Sequence, residues 1–338
     1  MPSVVAAPDK FRGTASAAEI AAAVARAARA AKWTCDQAPV ADGGEGILEA
    51  LGGARRTTRV SGPLGEVVEA EWRLDDTRRV PTAVIEMARA AGLDLVGGPE
   101  WNDPLRASTA GVGQLVMAAV AAGARRVVVG AGGSATTDGG QGCLEALEPK
   151  ARLSGVELVV ACDVDTTFVD AARIFAPQKG ATPKQVELLT RRLERLAQVY
   201  EETYGVDVRG LPGSGAAGGL AGGLAAVGAS LVPGFALVAD AISLADRIEV
   251  ADLVVTGEGY LDEQSFRGKA VGGVVDLATE LGVPALVVVG DRAADEPLPV
   301  DGEVTVVSLV DTFGEGAARR DAPACVREVV ARFLEPGR

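Results

Sequence analysis

The chain has 338 residues, with 33 Lys and Arg against 46 Asp and Glu and no His, so its formal net charge is -13. Without His, the chain cannot build a Ser-His-Asp triad, a Cys-His pair or a His-ligated zinc site, and proton transfer near neutral pH is left to carboxylates, Lys, Tyr or Cys. The negative charge argues against a nucleic-acid partner, because a phosphate backbone repels an acidic surface.

Short apolar runs alternate with Ala-rich helical stretches, a pattern that is typical of an α/β protein. Residues 4–7 are predicted to form a strand, and Ser16 with Glu19 has the spacing of a capping box that opens a helix running to about residue 31. A second short strand is predicted over residues 38–41. The next predicted strands, at 57–61, 67–74 and 82–87, are joined by short turns and indicate an antiparallel meander.

Helix and strand alternation returns after the meander and continues to the end of the chain. Further helices are predicted over residues 107–122, 140–147, 184–204, 271–280 and 325–334, and further strands over 126–129, 157–162, 253–256, 285–289 and 304–309. The first two and the last three strands fit one parallel sheet of flavodoxin-like order. This organisation predicts one discontinuous domain, of residues 1–42 plus 246–338, with an inserted mixed α/β domain of residues 43–245.

Cysteine usage and the long uncharged segment bear on where the protein works. The four Cys form no CxxC pair, which predicts free thiols in a reducing compartment. The first residues lack the basic start of a signal peptide. Residues 210–239 are uncharged but rich in Gly and Ala, which favours a buried loop and helix over a membrane span. We therefore expect a cytoplasmic protein with no membrane partner, and a homo-oligomer is left open.

Several loops at predicted strand ends combine glycine with a carboxylate, a hydroxyl group or Lys. These loops span residues 8–13, 41–46, 130–140, 162–165, 177–180, 213–219 and 257–262. Glycine lets backbone amides approach a phosphate, and carboxylates in such loops suit Mg²⁺. Each loop alone is also an ordinary turn, but together they predict a site for a nucleotide phosphate and a metal ion.

Lysine placement supports the same interpretation. Arg is the prevailing basic residue, yet Lys10 and Lys179 lie in these loops and Lys269 lies just beyond the last of them. A compact ammonium is a suitable partner for the oxygens of a transferring phosphoryl group. Residues 213–218 match G-x-G-x-x-G but do not follow a strand, and no Walker A motif is present. A nicotinamide oxidoreductase is therefore disfavoured.

Nine motifs stand in an order that resembles the type I glycerate kinase family. They lie at residues 7–13, 39–46, 62–65, 85–88, 132–140, 161–164, 175–182, 215–219 and 256–269. The resemblance runs from about residue 4 to about residue 290. It implies a flavodoxin-like domain with an inserted domain similar to restriction endonucleases. It also implies ATP-dependent phosphorylation of D-glycerate to 2-phospho-D-glycerate, with D-glycerate and ATP as the ligands.

The loops and the resemblance together give each candidate residue a role. Asp42 or Asp262 is predicted to accept the hydroxyl proton, and Lys269 to contact the phosphoryl oxygens. The acceptor is predicted to contact Asp9, Lys10, Gly257 and Glu258. The nucleotide is predicted to contact Gly132, Gly133, Ser134, Ala135, Thr136, Asp138, Gly139 and Lys179, and Mg²⁺ to bind at Asp138 or Asp163.

The chain departs from the family pattern at three places. It is shorter between Leu147 and Glu157, residues 165–170 differ from the usual loop, and residues 289–292 differ from the usual strand ending. These departures bear on the choice of nucleotide and on the acceptor pocket. Two alternatives remain open: a kinase of another small hydroxy acid on the same scaffold, and a ligand-binding homologue without catalytic activity.

Overall fold

The structure is a computed structural model, and it describes residues 1–148, 153–261, 265, 270–293 and 303–335. The strands are β1 Ser3–Ala6, β2 Thr34–Gln37, β3 Ala54–Ser61, β4 Val67–Asp75, β5 Thr82–Glu86, β6 Arg126–Gly130, β7 Glu157–Ala161, β8 Ser230–Val232, β9 Leu253–Thr256, β10 Tyr260–Leu261, β11 Ala285–Val289, β12 Asp291–Arg292 and β13 Val304–Ser308. The helices are α1 Ala17–Ala30, α2 Ile47–Leu51, α3 Ala88–Ala91, α4 Ala110–Ala121, α5 Gln141–Ala146, α6 Asp170–Phe175, α7 Pro183–Tyr204, α8 Leu220–Ala226, α9 Gly234–Ala241, α10 Leu244–Glu249, α11 Ala270–Glu280, α12 Leu309–Phe313, α13 Glu315–Arg320 and α14 Ala322–Phe333.

The chain divides into two compact units. The first unit contains Met1–Asp42 and Phe235–Arg338, and the second contains Gly43–Gly234. The predicted inserted domain runs on to residue 245, whereas α9 from Phe235 onward belongs to the first unit. Its Phe235 ring packs so closely on α11 that a Cβ atom on Gly273 would lie 2.1 Å from Cε1 of the ring. That the two units are separate domains stays a prediction.

The first unit is built on a parallel sheet with the strand order β13-β11-β9-β1-β2. This is the flavodoxin-like sheet that the sequence predicts. Because both faces of the central strands are covered, β9 and β11 are buried along their whole length and read as continuous apolar runs. Val4 and Ala6 pack with α1 and α14 in one cluster, while Val287 and Val289 pack with α11 in another.

The predicted strand at residues 38–41 is wrong, and the strand is β2. Its residues are mostly polar and exposed because β2 lies at the edge of the sheet, so an apolar run does not mark it. The apolar residues that follow run on beside β1: Ala38 donates its N–H to the carbonyl of Ala6 at 2.8 Å, and Val40 donates to Pro8 at 3.0 Å. This continuation leads the chain to Asp42.

The second unit contains a mixed sheet of order β3-β4-β5-β6-β7-β8. β3, β4 and β5 pair antiparallel, and β5 to β8 pair parallel, which confirms both the predicted meander and the mixed sheet. The capping box of α7, formed by Thr182 and Gln185, closes its first turn, and Leu189, Leu193 and Leu196 pack into the core. β8 was not predicted, because its three residues are too few to show a pattern.

Two smaller expectations concern the cysteines and the uncharged segment. All four cysteines are free thiols, as predicted. Within the uncharged segment, α8 is buried along its whole length. Of the helices in the described ranges, none is both long enough and apolar enough to cross a bilayer.

Candidate active site

The first unit brings two of the predicted loops together at the carboxyl ends of neighbouring strands. Asp9 follows β1 and Gly257 follows β9, and the N–H of Asp9 donates to the carbonyl of Gly257 at 2.9 Å. These strands flank the position where the order of the sheet reverses, and in open α/β sheets this position is the usual ligand site. Asp9, Lys10, Gly257 and Glu258, the predicted acceptor residues, therefore share one edge of the sheet.

Lys10 lies between two carboxylates at this edge. Its Nζ atom is 3.7 Å from Oδ1 of Asp9 and 3.7 Å from Oδ1 of Asp42. The backbone N–H of Lys10 also donates to Oδ1 of Asp9 at 2.7 Å, which fixes that side chain. The side chains of Asp9 and Lys10 are 10% and 14% exposed, whereas that of Asp42 is 34% exposed. Asp42 is thus the carboxylate that a ligand in solution reaches most easily.

A cavity of about 680 Å³ opens at this cluster. Its volume lies in the range of pockets that hold small organic ligands. Most of its polar lining is charged. The charged side chains are Asp9, Lys10, Arg12, Asp42, Glu258, Asp291 and Arg319. Carboxylates and cations thus line one opening together, which suits a ligand that carries both an anionic group and hydroxyl groups.

Three of these charged residues were not among the predicted site residues. Arg12 lies inside the predicted loop of residues 8–13, and Asp291 follows β11, the neighbour of β9, so strand-end position could have found both. Arg319 lies on α13 and pairs with Glu315 at 2.9 Å, which is ordinary for an exposed helix. No signal in the sequence marks Arg319.

Close backbone packing explains the glycines at this edge. A Cβ atom on Gly257 would lie 1.7 Å from the carbonyl oxygen of Val288, so only glycine fits there. A Cβ atom on Gly259 would lie 3.0 Å from the nitrogen of Arg12. The N–H of Gly290 donates to the carbonyl of Glu258 at 2.9 Å. These glycines let the loops after β1, β9 and β11 lie against one another.

The predicted nucleotide loop, residues 132–140, lies in the second unit and is mostly buried. Gly133 is exposed and Gly132 is half-buried, but every residue from Ala135 to Gly140 is buried. The N–H of Ala135 donates to the carbonyl of Ala91 at 2.9 Å, and the Tyr200 hydroxyl donates to the carbonyl of Gly139 at 2.9 Å. Only the beginning of the loop is open to a ligand.

Asp138 joins the starts of two helices. Its Oδ2 atom accepts hydrogen bonds from the N–H of Thr109 at 2.8 Å, the hydroxyl of Thr109 at 2.9 Å and the N–H of Gly142 at 3.2 Å. Its Oδ1 atom accepts from the N–H of Gly140 at 3.1 Å. The carboxylate is buried, and donors at the first turns of α4 and α5 occupy both oxygens.

Lys179 is buried beside the same loop. Its ammonium donates to the carbonyl of Thr136 at 2.7 Å, and the Asn102 amide donates to the carbonyls of Ala135 and Lys179, both at 2.9 Å. Burial lowers the pKa of Lys179 to about 7, and the charge of Asp138 opposes that shift. Lys179 therefore ties the loop to the segment around residue 179 from inside the second unit.

The remaining predicted residues fall in different places. Asp163 follows β7, and its Oδ1 atom accepts from the N–H of Gly234 at 2.6 Å. Ser134 is buried and forms a bridge with Gly92. In the part of the chain that the structure describes, no three Cys, Asp or Glu side chains are grouped to hold a metal ion. Asp262 and Lys269 lie outside the described residues.

The packing of Asp138 bears on whether it can bind a metal ion. The role of Asp138 stays a prediction, and its packing argues against it, because a carboxylate whose two oxygens accept hydrogen bonds from the protein is poorly placed to bind Mg²⁺ as well. Asp163 is half-buried, and its role also stays a prediction.

Comparison with known proteins gives one consistent result. The sequence model of the glycerate kinase family matches residues 4–151 and 148–334. A glycerate kinase from Halalkalibacterium halodurans is 39% identical over 328 residues, which cover 86% of each chain. The glycerate 2-kinase of Escherichia coli is 36% identical over 356 aligned residues, with 92% of each chain covered. A crystal structure assigned as a glycerate kinase 2 from Salmonella typhimurium has a TM-score of 0.81 at 34% identity and covers 98% of both chains.

Proposed function

Because this chain belongs to the glycerate kinase family, we propose that it transfers the γ-phosphoryl group of ATP to D-glycerate and forms 2-phospho-D-glycerate. The observation that carries the proposal is the cavity of the first unit, where Lys10 lies between Asp9 and Asp42. An ammonium held by two carboxylates can contact phosphoryl oxygens while a neighbouring carboxylate receives a proton.

Each side chain of this cluster has a separate task in the proposed reaction. The glycerate hydroxyl oxygen attacks the γ-phosphorus, the bond from that phosphorus to the bridging oxygen breaks, and ADP leaves. Asp42, the most exposed of the three side chains, accepts the hydroxyl proton. Lys10 stabilises the charge on the transferring group, and Asp9 holds Lys10 in place. Positioning and charge neutralisation of this kind need no His.

We propose that the nucleotide phosphates contact the open beginning of the loop at Gly132 and Gly133. Both positions lack side chains, so their amides can approach a phosphate closely. Mg²⁺ in kinases is held mostly by phosphate oxygens and one or two carboxylates, so a group of three acidic residues is not required. Of the two predicted ligands, Asp163 is the more accessible, because it is half-buried whereas Asp138 is buried. Bound Mg²⁺ would neutralise charge on the phosphates.

Phosphorus NMR of the reaction with D-glycerate, ATP and Mg²⁺ tests the proposal. The 2-phospho product and ADP are expected to appear together, and Asp42→Asn is expected to form both at least about a hundredfold more slowly. A 3-phospho product would correct the position of transfer. Release of ADP with another hydroxy acid but not with D-glycerate would favour the first alternative. A cytoplasmic location stays a prediction, and a homo-oligomer stays an open alternative.

A further inference from the structure

We infer that Arg12 is the anchor for the carboxylate of the acceptor, and that it makes the enzyme select small hydroxy acids over uncharged polyols. The inference rests on the proposed function and deepens it. Arg12 is one of the charged residues that line the cavity. It was not among the residues predicted from the sequence, and its environment differs from that of the other cations at the cavity.

The cations of the cavity wall differ in whether the protein already neutralises them. Lys10 has a carboxylate at 3.7 Å on each side, from Asp9 and from Asp42. Arg319 has Glu315 at 2.9 Å. For Arg12, the described residues provide neither an ion pair nor a side-chain hydrogen bond. Its planar guanidinium therefore keeps its donors for a ligand, and two parallel donors match a carboxylate.

The backbone holds Arg12 at the cavity although its side chain is exposed. Phe11 is buried in the core and closes a tight turn, since its N–H donates to the carbonyl of Ala15 at 2.8 Å and its carbonyl accepts from Ala15 at 2.9 Å. Gly13 takes the left-handed conformation, with φ +76°, that this turn requires. Gly259 packs against the backbone of Arg12 from the other side. The backbone of Arg12 is thus fixed at the cavity before a ligand binds, so binding orders the Arg12 side chain but not the loop that carries it.

The carboxylates of the cavity explain why such an anchor is needed. Asp9, Asp42, Glu258 and Asp291 all line it and repel an anionic acceptor, and Arg12 is the lining cation for which the described residues provide no carboxylate partner. Placing the acceptor carboxylate on Arg12 leaves its hydroxyl groups for Asp42 and Lys10. A neutral polyol gains nothing from Arg12, because it lacks the charge that the guanidinium binds.

Phosphate oxygens of the nucleotide are the other anions that Arg12 could bind, and steady-state kinetics separate the two. In Arg12→Gln, the KM for D-glycerate is expected to rise about ten- to hundredfold, the range for loss of a charge-assisted hydrogen bond, while the KM for ATP stays within about twofold. Arg12→Lys is expected to recover part of the loss, because it keeps the charge but not the planar fork. Arg26→Gln is the matched control, an exposed arginine of α1 in the same unit that does not line the cavity, and both KM values are expected to stay normal.

A second arm uses the amide of D-glyceric acid, which has the same hydroxyl groups and no charge. The native enzyme is expected to have a higher kcat/KM for D-glycerate than for the amide. In Arg12→Gln this ratio is expected to fall by the same factor by which the KM for D-glycerate rises. A raised KM for ATP with a normal KM for D-glycerate would overturn the inference and make Arg12 a phosphate ligand. Normal KM values for both ATP and D-glycerate would also overturn the inference, and Arg12 would then be a solvated turn residue.

Calorimetric titration of D-glycerate in the absence of ATP separates failure of this inference from failure of the proposed function. Native enzyme that binds D-glycerate through Arg12 but forms no phosphorylated product would overturn the function and keep the anchor. If the native enzyme forms product and the Arg12→Gln variant binds D-glycerate with unchanged affinity, the role of Arg12 as the anchor is overturned and the proposed function stands. Absence of both binding and turnover would overturn both.

Discussion

The loops after β1 and β9 in the first unit and the loop of residues 132–140 in the second unit are similar in composition. They differ in whether their charged side chains are open to a ligand. Both bring glycines together with a carboxylate and a lysine, and in the second unit that lysine is Lys179, which lies beside the loop. In the first unit, Lys10 and the carboxylates of Asp9 and Asp42 face a cavity. In the second, Asp138 and Lys179 are buried and bind mainly backbone groups. Glycine beside a charged residue therefore marks tight loop packing, and burial decides whether a ligand can reach the charge.

The largest expected effect is on turnover and comes from the open cluster. Asp42→Asn removes the proposed proton acceptor but keeps the size of the side chain, so kcat is expected to fall about 10²- to 10⁴-fold. The melting temperature is expected to change little, because the carboxylate is partly exposed. Steady-state kinetics and calorimetry measure the two effects.

Asp291→Asn provides the control for Asp42→Asn, because Asp291 lines the same cavity and its Oδ1 atom accepts from the backbone of Arg292 at 2.9 Å. It is expected to keep most of the turnover. If Asp42→Asn stays active, the assignment of the base is wrong, and Asp262 becomes the next candidate.

The second expected effect is on stability and comes from the buried loop. Asn at position 138 cannot accept all the hydrogen bonds that the carboxylate receives from Thr109, Gly140 and Gly142. Asp138→Asn is therefore expected to lower the free energy of unfolding by about 2–4 kcal/mol, since buried donors lose a charged acceptor. The Mg²⁺ concentration for half-maximal activity is expected to stay the same in the remaining folded enzyme.

A surface carboxylate of the second unit serves as the control for Asp138→Asn. Asp170 is half exposed and accepts from the hydroxyl of Thr167, so Asp170→Asn is expected to change stability by less than about 1 kcal/mol. Normal melting of Asp138→Asn with a loss of Mg²⁺-dependent turnover would restore the predicted metal role of Asp138.

Sequence patterns predicted the fold well because burial controls the apolar runs of strands and helices. The buried strands β9 and β11 were found at their observed positions, whereas the polar edge strand β2 was displaced. The same patterns say little about loops. Nothing in residues 132–140 distinguishes a phosphate-binding loop from one packed on Phe168 and Leu193, because side chains from distant parts of the chain decide its burial.

The third prediction compares two glycines within that loop. Gly133 and Gly139 have φ values of +68° and +66°, so alanine at either position costs about 1–2 kcal/mol in backbone strain. A Cβ atom on Gly139 would also lie 2.9 Å from both Leu196 and Phe168, which adds about 1–3 kcal/mol of overpacking. At Gly133 the nearest atom would be Cβ of Ala88, at 3.2 Å.

Chemical denaturation and kinetics on Gly133→Ala and Gly139→Ala locate the functional part of the loop. Gly139→Ala is expected to be the less stable variant, with a normal KM for ATP in the folded enzyme. Gly133→Ala is expected to raise the KM for ATP, because a methyl group then stands at the open amides. Equal stabilities would contradict the packing difference, and a normal KM for ATP in Gly133→Ala would remove the open end of the loop from the nucleotide site.

The smallest expected effect is a change in how stability depends on pH, and it tests whether Lys179 is truly enclosed. Its pKa is lowered from 10.5 to about 7 by burial, so between these values the unfolded chain holds more protons than the folded one. The free energy of unfolding is therefore expected to rise with pH above about 7, by at most about 1.4 kcal/mol per pH unit. Burial raises the pKa of Cys143, whose contribution to the pH dependence has the opposite sign from about pH 9 upward, so the useful window is pH 7 to 8.5.

Denaturation measured across this window is expected to show a flatter slope of the free energy of unfolding against pH in Lys179→Met. Lys184→Met, at an exposed position on α7, is expected to keep the native slope. An unchanged slope in Lys179→Met would mean that water reaches the ammonium and that Lys179 is not enclosed beside the loop.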